Sequence, residues 1–221
     1  MNKLNILFKY TTRSRRNNFL RGYKSIVDNI SNNENYHILI SIDDDDESMK
    51  NIEINHGNYT FISGKSISKV DAINRDVNSF NYNWDILVNM SDDMVFNKTG
   101  FDDTIRSKFL NTLDRSLLFN DGNRSDIITM SILGRDYYKR DNYIYNPEYK
   151  SFFCDNEATD VAIIRGCLLT CSEEIFSHLH FAYGKAEKDN QYTHAESFWN
   201  EDKRTYKLRI MKHKRLEEKG L

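Results

Sequence analysis

The chain has 221 residues, a formal net charge of -2, and 39% hydrophobic, 13% aromatic and 29% charged residues. That length suits one domain with a real core, and the aromatic content excludes a disordered chain. No apolar run approaches the roughly 18 residues of a membrane span, and the near-balanced charge argues against an extended duplex-binding footprint.

Residues 4–8 form a short apolar run ending in the polar cluster 10–18, which reads as a buried strand entering a loop. It starts without the pattern of a signal peptide. Phe19, Leu20, Tyr23, Ile26, Val27 and Ile30 recur at helical spacing. Residues 36–42 (YHILISI) make a second strand, stopped by Asp43, Asp44, Asp45, Asp46 and Glu47. Residues 59–63 make a third, and a helix follows through Val70, Ile73 and Val77. Residues 85–90 (DILVNM) make a fourth strand, stopped by Ser91, Asp92 and Asp93. This alternation predicts an α/β fold with a doubly wound, mainly parallel sheet. Ligands bind such sheets beyond the carboxyl ends of the strands, where both acidic clusters stand.

The second half is more mixed. Residues 103–113 read as a helix, and 116–119 and 127–132 as strands separated by Asn120, Asp121, Gly122 and Asn123. A short helix is predicted over 135–140 and a longer one over 155–165, with Asp155 near its start and Gly166 past its end. Residues 175–181 read as a strand carrying His178 and His180 on one face. From residue 197 the chain is charged, and 203–215 holds seven Lys or Arg interleaved with Tyr206, Leu208, Ile210 and Met211. A solvated or membrane-surface helix is expected there. Cys154, Cys167 and Cys171 form no disulfide framework and lack zinc-site spacing, which predicts a reducing, cytoplasmic location.

Two adjacent carboxylates ending a buried strand, Asp92 and Asp93, need a positive partner. Magnesium or manganese, held by one or two carboxylates plus substrate phosphates, is one solution; a solvated turn with Asp92 as a helix cap is the other. The Asp43–Asp46 run is either solvated surface or a set of acceptors for a base or ribose. Arg13, Arg15 and Arg16 follow the first strand, and Lys65 and Lys69 the third. Cations beside acids suit a metal–diphosphate ligand, against a background of surface ion pairs worth little. The absence of Walker A and GxGxxG motifs removes the main support for NTPase and dehydrogenase readings. Asp155 and Glu157 at a helix start read either as caps or as a general base for an attacking hydroxyl. The histidine pair is a candidate metal ligand, and Cys154 reads as an inert buried thiol.

In order, strand-TTRSR, strand-IDDDD, GKSISKVDAIN, WDILVNMSDDMVF, FNDG, YKSFFCDNEATDVA and HLHFAYGK resemble the GT-A fold glycosyltransferases of the family-2 type, especially small phage and bacterial members. The resemblance covers residues 4–205. It implies a single GT-A, Rossmann-like domain over 1–196 with a mainly parallel mixed sheet flanked by helices. Residues 1–95 would be the nucleotide-binding half, 96–196 the acceptor and catalytic half, and 197–221 a charged helical tail. SDDM resembles the family's metal-binding DxD motif. By position, Thr11, Thr12, Arg13, Asp43, Asp44 and Asp45 would contact the donor nucleotide, and Lys69 and Asn74 the base or diphosphate. Asp92 would touch the ribose and Asp93 the metal. CDNE resembles the family's ED motif and implies Asp155 as the base, with Cys154 replacing the Glu. That departure leaves Glu157 open as the alternative and Asp121 on the acceptor side. His180, ahead of His178, is the implied further metal ligand, with Phe181 where relatives carry proline.

The implied activity is Mn2+- or Mg2+-dependent transfer of a hexose from a nucleotide sugar, UDP-linked, to an acceptor hydroxyl with inversion. The acceptor would be a glycan or a hydroxymethylated base in phage DNA. The competing readings are a nucleotidyltransferase, whose glycine-rich first loop TTRSRRNN lacks, and a non-catalytic nucleotide-binding module.

Overall fold

A computed structural model describes residues 3–31, 34–54 and 56–217, so the predicted tail is followed as far as 217. The elements in chain order are β1 (Ile6–Thr12), α1 (Arg16–Asn29), β2 (Tyr36–Asp43), β3 (Tyr59–Gly64), α2 (Lys69–Asn74), β4 (Ile86–Met90), β5 (Met94–Phe96), α3 (Phe101–Ser107), β6 (Ser116–Asn120), β7 (Ile132–Gly134), α4 (Arg135–Lys139), α5 (Cys154–Ile164), β8 (Leu168–Glu174), β9 (Phe176–His178), α6 (Asn190–Glu196) and α7 (Trp199–Glu217). Seven strands form one sheet in the order β3-β2-β1-β4-β7-β6-β8. β7 runs antiparallel to both its neighbours, and the other pairings are parallel. β5 and β9 form a separate antiparallel pair.

The central strands read as continuous apolar runs because both sheet faces are covered. On one face Ile6, Phe8, Tyr10, Ile38, Ile40 and Val88 meet Phe19, Tyr23 and Ile26 of α1 and Phe101 and Ile105 of α3. On the other, Leu7, Leu39, Leu87 and Leu133 meet Val70 and Ile73 of α2, Tyr137 and Tyr138 of α4, and Ala162 of α5.

Several boundaries differ from the sequence expectation. β1 continues to Thr12 because its polar end stays paired with β2. Lys9, fully buried there, places its ammonium on the Ser41 hydroxyl, which donates to Asp76. Burial lowers the Lys9 pKa to about 7, with Asp76 acting against it. α2 ends at Asn74, before Val77, and α3 ends at Ser107 rather than 113. Of the strand expected over 127–132, only Ile132 is in β7; Ile127, Ile128 and Met130 are buried in irregular chain, where the Ile128 N–H donates to Thr159 Oγ1 of α5 at 3.0 Å. β5 and β8 are additional strands. The histidine strand is β9, which ends at His178, short of His180.

α7 is solvated on one side only. Its inner face carries Asp202, Tyr206, Arg209 and His213, spaced to share one helix side. Tyr206 donates to Asp160 of α5 at 2.6 Å, and Arg209 and His213 meet Glu157 at 2.9 and 3.1 Å. Asp202, fully buried, accepts the N–H groups of Lys150, Ser151 and Phe152 at 2.9, 2.8 and 2.8 Å. It therefore ties down the segment leading into α5. Asp202→Ala removes a charged acceptor from three amides, and a loss of about 3 kcal/mol is expected. Urea unfolding of the two proteins measures it, and an unchanged midpoint would mean the segment holds without this carboxylate.

Candidate active site

The carboxyl ends of β1, β2, β4 and β6 open on the same side of the sheet, since these strands run parallel. The loops there carry Thr12 and Arg13, the Asp43–Asp46 run, Asp92 and Asp93, and Asp121.

Asp92 and Asp93 are each 5% exposed. Among the described residues their Oδ1 atoms have no hydrogen-bond partner. Such buried orphan acceptors are uncommon and call for a ligand or ion. Burial pushes Asp92 up to about 8; the Thr12 hydroxyl beside it, Arg15 and Lys69 oppose this, while neighbouring Asp93 adds to it. Burial also works to raise Asp93, but His178, through hydrogen bonding and charge, with Lys69 and Ser91, holds it well below the ordinary carboxylate range.

The histidine that meets Asp93 is His178. Its Nε2 lies 3.3 Å from Asp93 Oδ2 and its Nδ1 3.3 Å from Asp121 Oδ2. Burial works to lower His178, yet Asp121 and Asp93 lift it to about 9. Asp121 is fully buried rather than turned to an acceptor. Its Oδ1 accepts the amides of Asn123 and Arg124 at 2.8 and 2.7 Å, and its Oδ2 orients the imidazole. The β5–β9 pairing, with Met94 opposite His178, delivers that ring to Asp93. His180 stands further on, its ring centroid 5.3 Å from that of His178, and its Nδ1 accepts the Ala182 N–H.

The basic loop after β1 is held by acids. Arg13 bonds Asp43 at 2.7 Å and Asp45 at 2.6 and 2.9 Å. Asp46 is buried and accepts the Ser14 amide, whereas Asp44 is exposed and bonds through its backbone to Gly64. Arg15 pairs with Asp189 at 2.7 and 2.8 Å and lies 4.2 Å over the ring of Tyr192. The Tyr192 hydroxyl donates to Asp93 Oδ2 at 3.0 Å. Tyr192 and Asp189 carry no sequence signal, since nothing local links a polar stretch near 190 to a carboxylate at 93. Thr11 donates to the Ala72 carbonyl.

Asp155 is not the helix cap. The cap position is Phe153, with φ of 62° and no capping side chain. A bulky residue in that region is strained, and the rings of Trp199 and Tyr206 lie 4.8 and 5.7 Å from it. Asp155, half-buried in the first turn, carries a pKa raised by burial; the Asn156 amide, Lys69 and Arg124 act to lower it. Lys69 is exposed, makes no ion pair among the described residues, and its charge acts on Asp92, Asp93, His180 and Asp155 alike. Glu157 faces away, buried against Arg209 and His213 of α7. Asn74 is committed to the chain: its Oδ1 accepts from Ile144 and Tyr145, and its Nδ2 donates to the Tyr145 carbonyl. The buried Cys154 thiol is pushed up by burial and by Asp155, so it is inert.

No protein-family model and no curated protein matches the chain. Solved structures do. The mannosyltransferase PcManGT from Pyrobaculum calidifontis, in complex with GDP-Man and Mn2+, superposes with a TM-score of 0.62 over 90% of this chain and 70% of its own, at 7% identity. The chain has the GT-A fold. A fragment of S. aureus TarS in complex with UDP-GlcNAc gives 0.65 over 85% of this chain at 12% identity, and the chain spans only 60% of that fragment. A Drosophila galactosyltransferase 7 variant, with manganese, UDP-Gal and xylobiose, gives 0.53 over 87% of this chain and 79% of its own at 13% identity. At these identities the likeness is one of fold.

A GT-A fold implies a divalent cation, and the residues at Asp93 fit one. Among the described residues, no three His, Cys, Asp or Glu side chains form a cage for a metal. An ionised Asp93 with an orphan Oδ1, the adjacent orphan of Asp92, and the His178 ring, which can ligate only after losing its proton and is held from behind by Asp121, supply a partial set. Such a set suits an ion that takes its remaining ligands from water and substrate phosphates.

Proposed function

We propose that the chain is a metal-dependent glycosyltransferase that moves a hexose from a nucleotide sugar, UDP-linked, to an acceptor hydroxyl with inversion. The observation that carries this reading is the pair of buried, unpartnered carboxylate oxygens ending β4, within the electrostatic reach of one free lysine shared with Asp155. Asp93, and His178 once its ring has given up a proton, would hold Mn2+ or Mg2+, with Asp121 orienting the ring. A cation there would offset the charge developing on the leaving nucleoside diphosphate. Thr12, Arg13 and the Asp43–Asp45 loop line the nucleotide side, and Lys69 offers its ammonium to the diphosphate. Asp155 takes the proton from the acceptor hydroxyl as that oxygen attacks the anomeric carbon. Its raised pKa makes it a stronger base than an ordinary aspartate. Asn74 acts through the loop at 144–145 rather than on the donor.

Of the two acceptors considered, a glycan is favoured over a hydroxymethylated base in duplex DNA. The formal net charge of -2 offers no extended basic footprint for a duplex polyanion. No helix among the described residues is long and apolar enough to cross a membrane, and a cytoplasmic place of action is part of this proposal. Thermal unfolding with UDP, GDP and other nucleoside diphosphates, each with and without manganese, tests the donor site. A metal-dependent upward shift with UDP is expected. No shift with any nucleotide would overturn the reading.

A further inference from the structure

We propose that the outward face of α7 docks the protein onto an anionic lipid surface. The inner face of this helix is taken by the segment at 150–152, through Asp202, and by α5, through Tyr206, Arg209 and His213. The opposite side exposes Lys203, Arg204, Lys207, Lys212 and Lys214. None of these five makes an ion pair among the described residues, in contrast to Arg13, Arg15, Arg106, Arg140 and Arg165 elsewhere in the fold. In their midst Leu208 and Met211, one turn apart, are 55% and 49% exposed. Among the described side chains of the helix, Glu201 is the exposed acid, and it stands at the N-terminal end.

The helix holds seven basic residues against three acidic ones, while the whole chain is at -2, so the rest of the molecule is net acidic. The five cations of α7 thus form a positive stripe on a molecule that is otherwise net acidic. A flat anionic surface touches such a face alone. A DNA duplex draws on a wider basic footprint, and two apolar side chains at the centre of the stripe match no phosphate. Lysines flanking a short apolar strip can extend their charged ends to headgroups while their stems and the strip enter the interface. The apolar area is small, so attachment is reversible and depends on charge.

The test is co-sedimentation of the full chain with vesicles of phosphatidylcholine plus phosphatidylserine, against phosphatidylcholine alone, at low and high salt, with a fluorescent duplex DNA assayed in parallel. Binding is expected to the mixed vesicles only, and to fall with salt. Lys207→Glu with Lys212→Glu should weaken it roughly tenfold or more, and Leu208→Ser with Met211→Ser several-fold. All four positions are exposed and lie outside the donor site, so each double variant should keep the UDP-dependent thermal shift of the parent. This readout needs no turnover, and its failure is separable from failure of the glycosyltransferase reading. Absence of vesicle binding at low salt, equal binding to phosphatidylcholine, indifference to both pairs of substitutions, or tighter binding to the duplex would each overturn the proposal.

Discussion

Asp93→Asn is expected to abolish the manganese-dependent part of UDP binding and to lower kcat/KM on the order of 10³-fold, the scale of several kcal/mol for metal stabilisation of a leaving group. The wild-type protein at 100 times the dissociation constant of UDP should gain roughly 2.7 kcal/mol, a rise in Tm of about 5–11 °C for a chain of this size. The substitution is nearly isosteric, and an amide at 93 still accepts from Tyr192, whose hydroxyl now meets Oδ2. It removes the negative charge that His178 faces and the orphan oxygen offered to a cation. Melting curves with UDP, with and without manganese, decide the matter. A variant that keeps the full metal-dependent shift would place the cation elsewhere.

The second large effect separates Asp155 from Glu157. Asp155→Asn should leave the UDP shift intact and reduce kcat by about 10²–10⁴-fold, the range of general-base removal. Glu157→Ala should act on the fold instead. It leaves His213 and Arg209 without their buried partner, Arg209 keeping only exposed Glu148, and a loss of about 3 kcal/mol, the lower end for a broken buried pair, is expected. The pH profile adds an independent check. A base works ionised, and burial raises the Asp155 pKa, so activity should fall as pH drops through a value above the ordinary aspartate range. Urea unfolding and pH-dependent kcat of both variants test this. Full turnover in Asp155→Asn, with loss in a folded Glu157→Gln protein, would move the base to Glu157.

The contrast between those two carboxylates shows where sequence reading stops. Both stand in the first turn of α5, and spacing alone cannot rank them. α7, more than forty residues downstream, takes Glu157 through Arg209 and His213 and leaves Asp155 without an ion pair among the described residues. The histidine choice has the same form. His178 and His180 share one extended face in the sequence, but β9 ends at 178, and its pairing with the three-residue β5 sets His178 on Asp93. Strands this short carry no periodicity to read. Asn74 looked free for a nucleotide until the segment at 144–145 returned to occupy it.

By itself the sequence determined the layered α/β architecture and the edge at which a ligand would bind. Parallel strands covered on both faces must be continuous apolar runs, as at 36–42 and 85–90, and acids that end such runs must gather at one edge. The tertiary structure alone decided which charges remain free there. Arg13, Arg15 and Glu157 are neutralised by partners between 30 and 174 residues away along the chain, whereas Lys69 and Asp155 make no ion pair among the described residues. A side chain's charge is local in sequence, but its partner and its access to water are set by which distant elements the core brings together.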